Sequence, residues 1–182
     1  LLGTHVPGWQ PEGLSVRLGL SGSDACAMAV RLARAVTGRG HIISIGYHGY
    51  HDMFVSCTPP AWGIWQPQGV WAVPFGDLGA LEKILGVGLQ AGSWQELRHD
   101  LAAIIIEQPP QQEPPGYWQE VRRLCTEHGA LLIVDDVVTG FRYALGGAAE
   151  YFDITPDIVC VGKALGNGIP INAMVFPREY AS

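Results

Sequence analysis

The sequence predicts an α/β fold built on a mostly parallel sheet, and three observations lead there. Short runs such as Ile104-Ile105-Ile106 and Leu131-Leu132-Ile133-Val134 are apolar throughout, the pattern of strands covered on both faces. Longer segments of helical period alternate with them, as crossover connections between parallel strands require. Glycine and proline, 24 and 13 of 182 residues, punctuate the joints. A chain that is 48% hydrophobic and only 15% charged is too apolar for disorder, and that much glycine and proline excludes a coiled coil. Its length suits one domain.

Seven strands are expected, over residues 16–20, 41–46, 70–74, 102–107, 130–135, 157–162 and 171–176, flanked by helices over 24–37, 78–85 and 116–128. The first helix carries an apolar stripe of Ala25, Met28, Ala29, Leu32, Ala33 and Val36, with Arg31 and Arg34 off it. The third opens after Pro114-Pro115 and closes at Gly129. Residues 56–69, rich in Pro, Gly and Trp, predict a long ordered loop, and 86–93 a weaker candidate linker.

The net charge of −6 and the absence of a basic cluster argue against a nucleic-acid partner. No apolar run approaches the roughly 20 residues that cross a bilayer, and the first residues show neither a basic start nor a long apolar core. The four cysteines (Cys26, Cys57, Cys125, Cys160) form no Cys-x-x-Cys pair, so a reducing, cytoplasmic setting is expected. The chain begins at Leu1 and stops just past an apolar run, so a fragment of something longer is expected.

Four segments carry chemistry. At Ser21-Gly22-Ser23-Asp24 a strand gives way to a helix, whose free N–H groups and dipole suit a phosphate, with the Ser23 hydroxyl as a further donor. The alternative is an ordinary helix cap by Ser23 or Asp24. At Gly162-Lys163-Ala164 a lysine follows an apolar strand directly. It is no phosphate-binding P-loop, because Asp157 stands where glycine is needed and Ala164 where Ser or Thr is needed. A desolvated lysine is a usable amine nucleophile, and a plain surface lysine is the alternative. At Asp135-Asp136-Val137 two carboxylates end a strand, where open α/β sheets bind ligands. Residues two apart share a face, so Asp135 and Val137 point one way and Asp136 the other. A carboxylate beside an aliphatic surface suits a flat cationic ring, while a loop anchor or a metal site remains open. At Tyr47-His48-Gly49-Tyr50-His51-Asp52 either metal ligands or an aromatic that stacks on a planar ligand fits. A phosphate cradle, a stacking aromatic, a carboxylate with an aliphatic partner and a nucleophilic lysine are together the parts that hold pyridoxal phosphate.

These motifs also carry a resemblance. Ser21-Gly22-Ser23-Asp24-Ala25, the run Arg31-Leu32-Ala33-Arg34, Tyr47-His48-Gly49 and Asp135-Asp136-Val137-Val138-Thr139-Gly140-Phe141-Arg142 resemble the class III pyridoxal-phosphate-dependent aminotransferase family. The segment Leu145-Gly146-Gly147-Ala148-Ala149-Glu150-Tyr151-Phe152, with Pro156-Asp157 and Gly162-Lys163-Ala164, is similar to its glutamate-1-semialdehyde 2,1-aminomutase branch and to aminotransferase relatives of that branch. The resemblance implies the type I pyridoxal-phosphate transferase large domain, with a seven-stranded sheet. It implies that Lys163 carries the cofactor as a Schiff base and acts as acid/base in a 1,3-proton shift, and that Asp135 binds the pyridine nitrogen. Val137 and Tyr47 would cover the two ring faces, Gly22 and Ser23 would hold the phosphate, and Glu107 and His48 would lie nearby. It further implies an amino donor and a keto or aldehyde acceptor, and a homodimer with the active site at its interface. An N-terminal segment and a small C-terminal domain would lie outside residues 1–182.

Four positions depart from the family pattern: Asp24 and Asp136 stand where glutamate is usual, Gln108 where proline is, and Asn167 where glycine is common. Asn167-Gly168-Ile169-Pro170 looks more like the transaminase relatives than the aminomutase itself. Two other classes fit parts of the pattern. A metal-dependent hydrolase would use His48, His51, Asp135 and Asp136, and a non-catalytic remnant would keep only the fold.

Overall fold

In the computed structural model, residues 1–55, 69–86, 99–109 and 112–181 are described. They form one seven-stranded sheet: β1 (Leu14–Gly19), β2 (His41–Ile45), β3 (Val70–Ala72), β4 (Leu101–Glu107), β5 (Leu131–Asp136), β6 (Ile158–Val161) and β7 (Asn172–Pro177). The spatial order is β1-β7-β6-β5-β4-β2-β3. Strands β2 to β6 pair in parallel, and β7 runs antiparallel to both β6 and β1. The predicted sheet is therefore present, with a single reversed strand. Most of the predicted loop over 56–69, and of the linker over 86–93, falls outside the described residues.

The apolar runs are explained by a core on each face. Alternate residues of one strand serve opposite sides: Ile104 and Ile106 face the core with Ile43, Ile45, Leu132 and Val134, while Ala103 and Ile105 face the other with Ile42 and Ile133. The helices are α1 (Leu2–His5), α2 (Gly22–Thr37), α3 (Asp52–Val55), α4 (Leu78–Ile84), α5 (Tyr117–His128) and α6 (Gly147–Tyr151). On the first face α5 buries Tyr117, Trp118, Val121, Leu124 and Cys125. On the second lies α2, which leaves β1 at one edge and delivers the chain to β2 beyond the middle, crossing β7, β6 and β4. Its buried residues include Ala25, Cys26, Ala29, Val30 and Ala33. This face is rotated from the predicted stripe: Cys26 and Val30 are buried, and Val36 is exposed. Small alanines let the helix axis approach the sheet, and contact then selects the residues beside them. The helices α1, α3 and α6 were outside the prediction because four or five residues are too few to show a helical period.

Two devices set the ends of α2. Ser21 is the N-cap: its side chain accepts from Asp24 N–H at 3.2 Å, and Asp24 Oδ2 accepts from Ser21 N–H at 2.8 Å. That reciprocal pair is a capping box, so neither Ser23 nor Asp24 is the cap itself. At the other end Gly38 adopts the left-handed conformation at φ 67°, which glycine takes without strain. Arg39 then donates to the carbonyls of Leu101, His128 and Gly129, tying the α2 exit to β4 and to the end of α5. Among the described residues no helix is long and apolar enough to cross a membrane.

Candidate functional site

Parallel strands place their C-terminal ends along one margin of the sheet, where a crevice opens. A cavity of about 350 Å³ lies there, within the size range of small-molecule sites. The α2 N-terminus enters through Gly22 and Ser23, the loop after β2 through Tyr47 and His48, and the ends of β4 and β5 through Glu107, Asp135 and Val137. The turn after β6 contributes Lys163. The structure thus gathers all eight sequence-predicted site residues around one space. A larger hollow of about 460 Å³ beside β1 and β7 is lined by residues such as Leu14, Val16, Leu18 and Phe141 and by no titratable side chain, so it offers no comparable chemistry.

The floor is built on Asp135, which is 3% exposed. Its Oδ2 lies 2.7 Å from His48 Nδ1, and because an ionised carboxylate only accepts, the ring nitrogen donates. The Cys26 thiol donates to the same oxygen at 3.2 Å, and the Val137 N–H donates to Oδ1 at 3.1 Å. His48 is itself only 2% exposed, packed edge-on against Phe54, and its Nε2 has no hydrogen-bond partner among the described residues. Burial by itself disfavours the imidazolium, but hydrogen bonding to Asp135 and to Cys26, with the carboxylate's charge, outweighs it and raises the His48 pKa to about 10. Cys26 was not a candidate from sequence. A cysteine within an apolar helix reads as a small hydrophobe, and only the β5 register brings a carboxylate to its thiol.

Asp136 points the other way, as its position in an extended strand requires. It accepts from the Thr139 hydroxyl and from the Ala148 N–H, anchoring the loop after β5 to the start of α6. Burial, opposed by those two hydrogen bonds and helped by the charge of Asp135, pushes its carboxyl up to about 6. His51 in turn lies 3.5 Å from Asp24. The metal set expected of a hydrolase, His48, His51, Asp135 and Asp136, is therefore not assembled. Among the described residues, the metal-ligating side chains that do converge are Cys26, His48 and Asp135, with ligand atoms within 4.8 Å of one another and hydrogen bonds running to Asp135.

The rim explains its glycines. A Cβ on Gly22 would lie 2.6 Å from Val137 Cγ1, so this glycine lets the aliphatic side chain pack on the first turn of α2. Gly49, at φ 101°, lies so close to Ser23 that a Cβ would fall 2.1 Å from its Oγ. The loop closes there through the Tyr50 N–H, which donates to Ser23 Oγ at 3.2 Å. The Tyr47 N–H donates to Glu107 Oε2 at 2.9 Å while its ring is 69% exposed. Burial raises the Glu107 pKa, with the Tyr47 N–H and the charges of His48 and Lys163 opposing that rise and Asp135 adding to it.

Of the two readings open for Lys163, its exposure is that of a lysine at a strand exit. It lines the cavity and is exposed, because the turn carries it out of β6 at the margin of the sheet. Its backbone has φ 32°, a conformation L-residues seldom adopt, and it opens a short 3-10 turn, Lys163–Leu165. Gln108, at a position where the family pattern has proline, accepts from Trp118 Nε1 at 2.9 Å and donates to Glu113, bracing the chain after β4.

The fixed charges of the site set a pH dependence. A histidine whose pKa is raised on folding contributes stability that is complete below its unfolded value, near 6.5, and is lost as pH rises towards about 10. Urea unfolding of the cofactor-free protein between about pH 6 and pH 10 should show this loss, on the order of 4 kcal/mol at its limit. His48→Gln should flatten that part of the profile. Parallel profiles would remove His48 from the account.

Residues 2–182 match the family described as aminotransferase class-III. The glutamate-1-semialdehyde 2,1-aminomutase of Hyperthermus butylicus is 37% identical over 194 aligned residues, covering 94% of this chain and 42% of that protein. The enzyme of the same name from Desulforamulus reducens is 37% identical, covering 93% of this chain and 41% of that protein. Among solved structures, an omega-transaminase from Sphaerobacter thermophilus superposes with a TM-score of 0.79 at 28% identity, over the whole of this chain and 44% of its own. A transaminase with PLP bound superposes with a TM-score of 0.75 at 28% identity, over 92% of this chain and 41% of its own. The chain spans about two-fifths of the length of these relatives. On this match the chain belongs to the class-III aminotransferase family.

Proposed function

We propose that the protein is a pyridoxal-phosphate-dependent aminotransferase. The observation that carries this reading is that Asp135, held by three donors, shares one cavity with Lys163 and with the glycine-bounded N-terminus of α2. The residues present fit the cofactor. Gly22 and Ser23 bring the N-terminus of α2 to the cavity, where a helix start suits an anion, and the three donors leave Asp135 Oδ1 a lone pair for a ring N–H. Bound pyridoxal phosphate acts as an electron sink for the carbon next to the substrate nitrogen.

The chain's own residues then divide the work. Gly22 and Ser23 bind the phosphate through their backbone and the Ser23 hydroxyl. Asp135 keeps the ring nitrogen protonated, and His48 holds Asp135 in place. Val137 and Tyr47 cover the ring faces. Glu107 orients Tyr47 through its backbone N–H. Lys163, at the cavity, would hold the cofactor through its Nζ and would give and take a proton there as acid and base.

An amino donor and a keto or aldehyde acceptor are the substrates, and a cytoplasmic homodimer with its active site at the subunit interface is the assembly that accompanies this reading. A second reading, intramolecular amino transfer as in glutamate-1-semialdehyde 2,1-aminomutase, draws on the 37% identity to proteins of that name. Full-length protein mixed with pyridoxal phosphate and then freed of unbound cofactor should retain an absorbance band at the edge of the visible, bleached by an amino donor and restored by an acceptor. Restoration only by a substrate carrying both groups favours the aminomutase. Absence of any band overturns both readings, and a band without turnover is the outcome expected of a non-catalytic remnant.

A further inference from the structure

Asp135 meets a thiol as well as an imidazole. The two donors on Oδ2 come from different elements, His48 from the loop after β2 and Cys26 from α2, and the third, the Val137 N–H, comes from Asp135's own chain. One donor on each oxygen restrains rotation about the Cβ–Cγ bond, and a second donor on Oδ2, arriving from a different element, tightens that restraint and with it the direction of the open lone pair of Oδ1. Cys26 is 1% exposed and borders the cavity.

Cysteine can serve here because its surroundings keep the proton on sulfur. Cys160, on β6 opposite Asp135 in the parallel register, meets the Cys26 thiol. The contact with Cys160, burial and the charge of Asp135, opposed by the hydrogen bond to His48, hold the Cys26 thiol well above its usual pKa, so its proton stays on sulfur, and the geometry directs the sulfur to Asp135 Oδ2 at 3.2 Å. Helix α2 also presents its N-terminal N–H groups to the cavity through Gly22 and Ser23, four and three residues before Cys26. A single rigid helix therefore touches both ends of the site, the anion cradle and the buried carboxylate.

Building on the functional reading above, we propose that Cys26 is a positioning residue, whose thiol fixes Asp135 so that Oδ1 addresses the cofactor's ring nitrogen. It touches neither cofactor nor substrate and acts only through the carboxylate. A thiol is a weak donor, so its loss is felt as an aiming error rather than as the loss of the site.

The test compares two ligands on the full-length, cofactor-free protein: pyridoxal phosphate, and the analogue in which C–H replaces the ring nitrogen. Cys26→Ala should weaken pyridoxal phosphate binding about three- to tenfold and leave the analogue's affinity within about twofold, the scatter expected where no interaction has been lost. Cys26→Ser, which restores an O–H donor, should recover the pyridoxal phosphate affinity, and thermal melts should show both variants folded. Equal losses for the two ligands mean that Cys26 merely supports the fold, which overturns the assignment. So does a serine variant no better than alanine. Failure of the wild type to bind either ligand overturns the functional reading itself, a result distinct from both.

Discussion

Lys163→Ala in the full-length protein is expected to lower turnover about 10⁴-fold or more, the upper range for a positioned proton carrier, and to lose covalent retention of the cofactor. Borohydride reduction followed by denaturation should leave the cofactor on the wild type and remove it from the variant. The expectation rests on position. Lys163 is exposed and is tethered at the cavity by a turn with an uncommon backbone angle. Tethering of this kind raises effective concentration strongly. A small primary amine added to the alanine variant should therefore restore part of the turnover. Retained turnover in that variant would end the assignment of Lys163.

The second large effect is expected from Asp135→Asn. The change is nearly isosteric, yet it replaces a pure acceptor by a group that also donates. The new amide faces two donors, His48 Nδ1 and the Cys26 thiol, which now contact Oδ2 at 2.7 and 3.2 Å. If the amide nitrogen takes that place, His48 must release its Nδ1 proton and carry one on Nε2, which is buried without a partner among the described residues. The variant also removes the negative charge that would face a protonated ring nitrogen. Turnover should fall roughly 10²- to 10³-fold, the size of losing one fixed electrostatic contact. The His48 contribution to the pH profile of unfolding should disappear with it, since the charge that raises the His48 pKa is gone. Wild-type turnover in this variant would remove Asp135 from the mechanism.

Strand order aside, much of the sheet was legible in the chain. The runs Ile104-Ile105-Ile106 and Leu131–Val134 are apolar at every position, and only a strand with a core on both faces makes use of both sets of side chains. The reversed direction of β7 was not legible. It depends on how the turn over residues 166–171 folds back, and the hydrophobic pattern of a strand is the same read in either direction. The α2 stripe was legible as a helix but misplaced by part of a turn, because Met28, Leu32 and Val36 are as apolar as the residues that won burial.

The sequence by itself determined the α/β class and the opposite directions of Asp135 and Asp136, because period and strand alternation are local properties of the chain, while the eight residues that reach the cavity came from its motifs and the family resemblance they carry. Tertiary structure decided the exposure of Lys163, the separation of His51 and Asp136 from His48, and the contact of Cys26 with Asp135. That last contact joins atoms 109 residues apart in the chain, and His48 meets Asp135 across 87. Among the described residues each face of the sheet carries a core, and the chain spans about two-fifths of the length of its relatives.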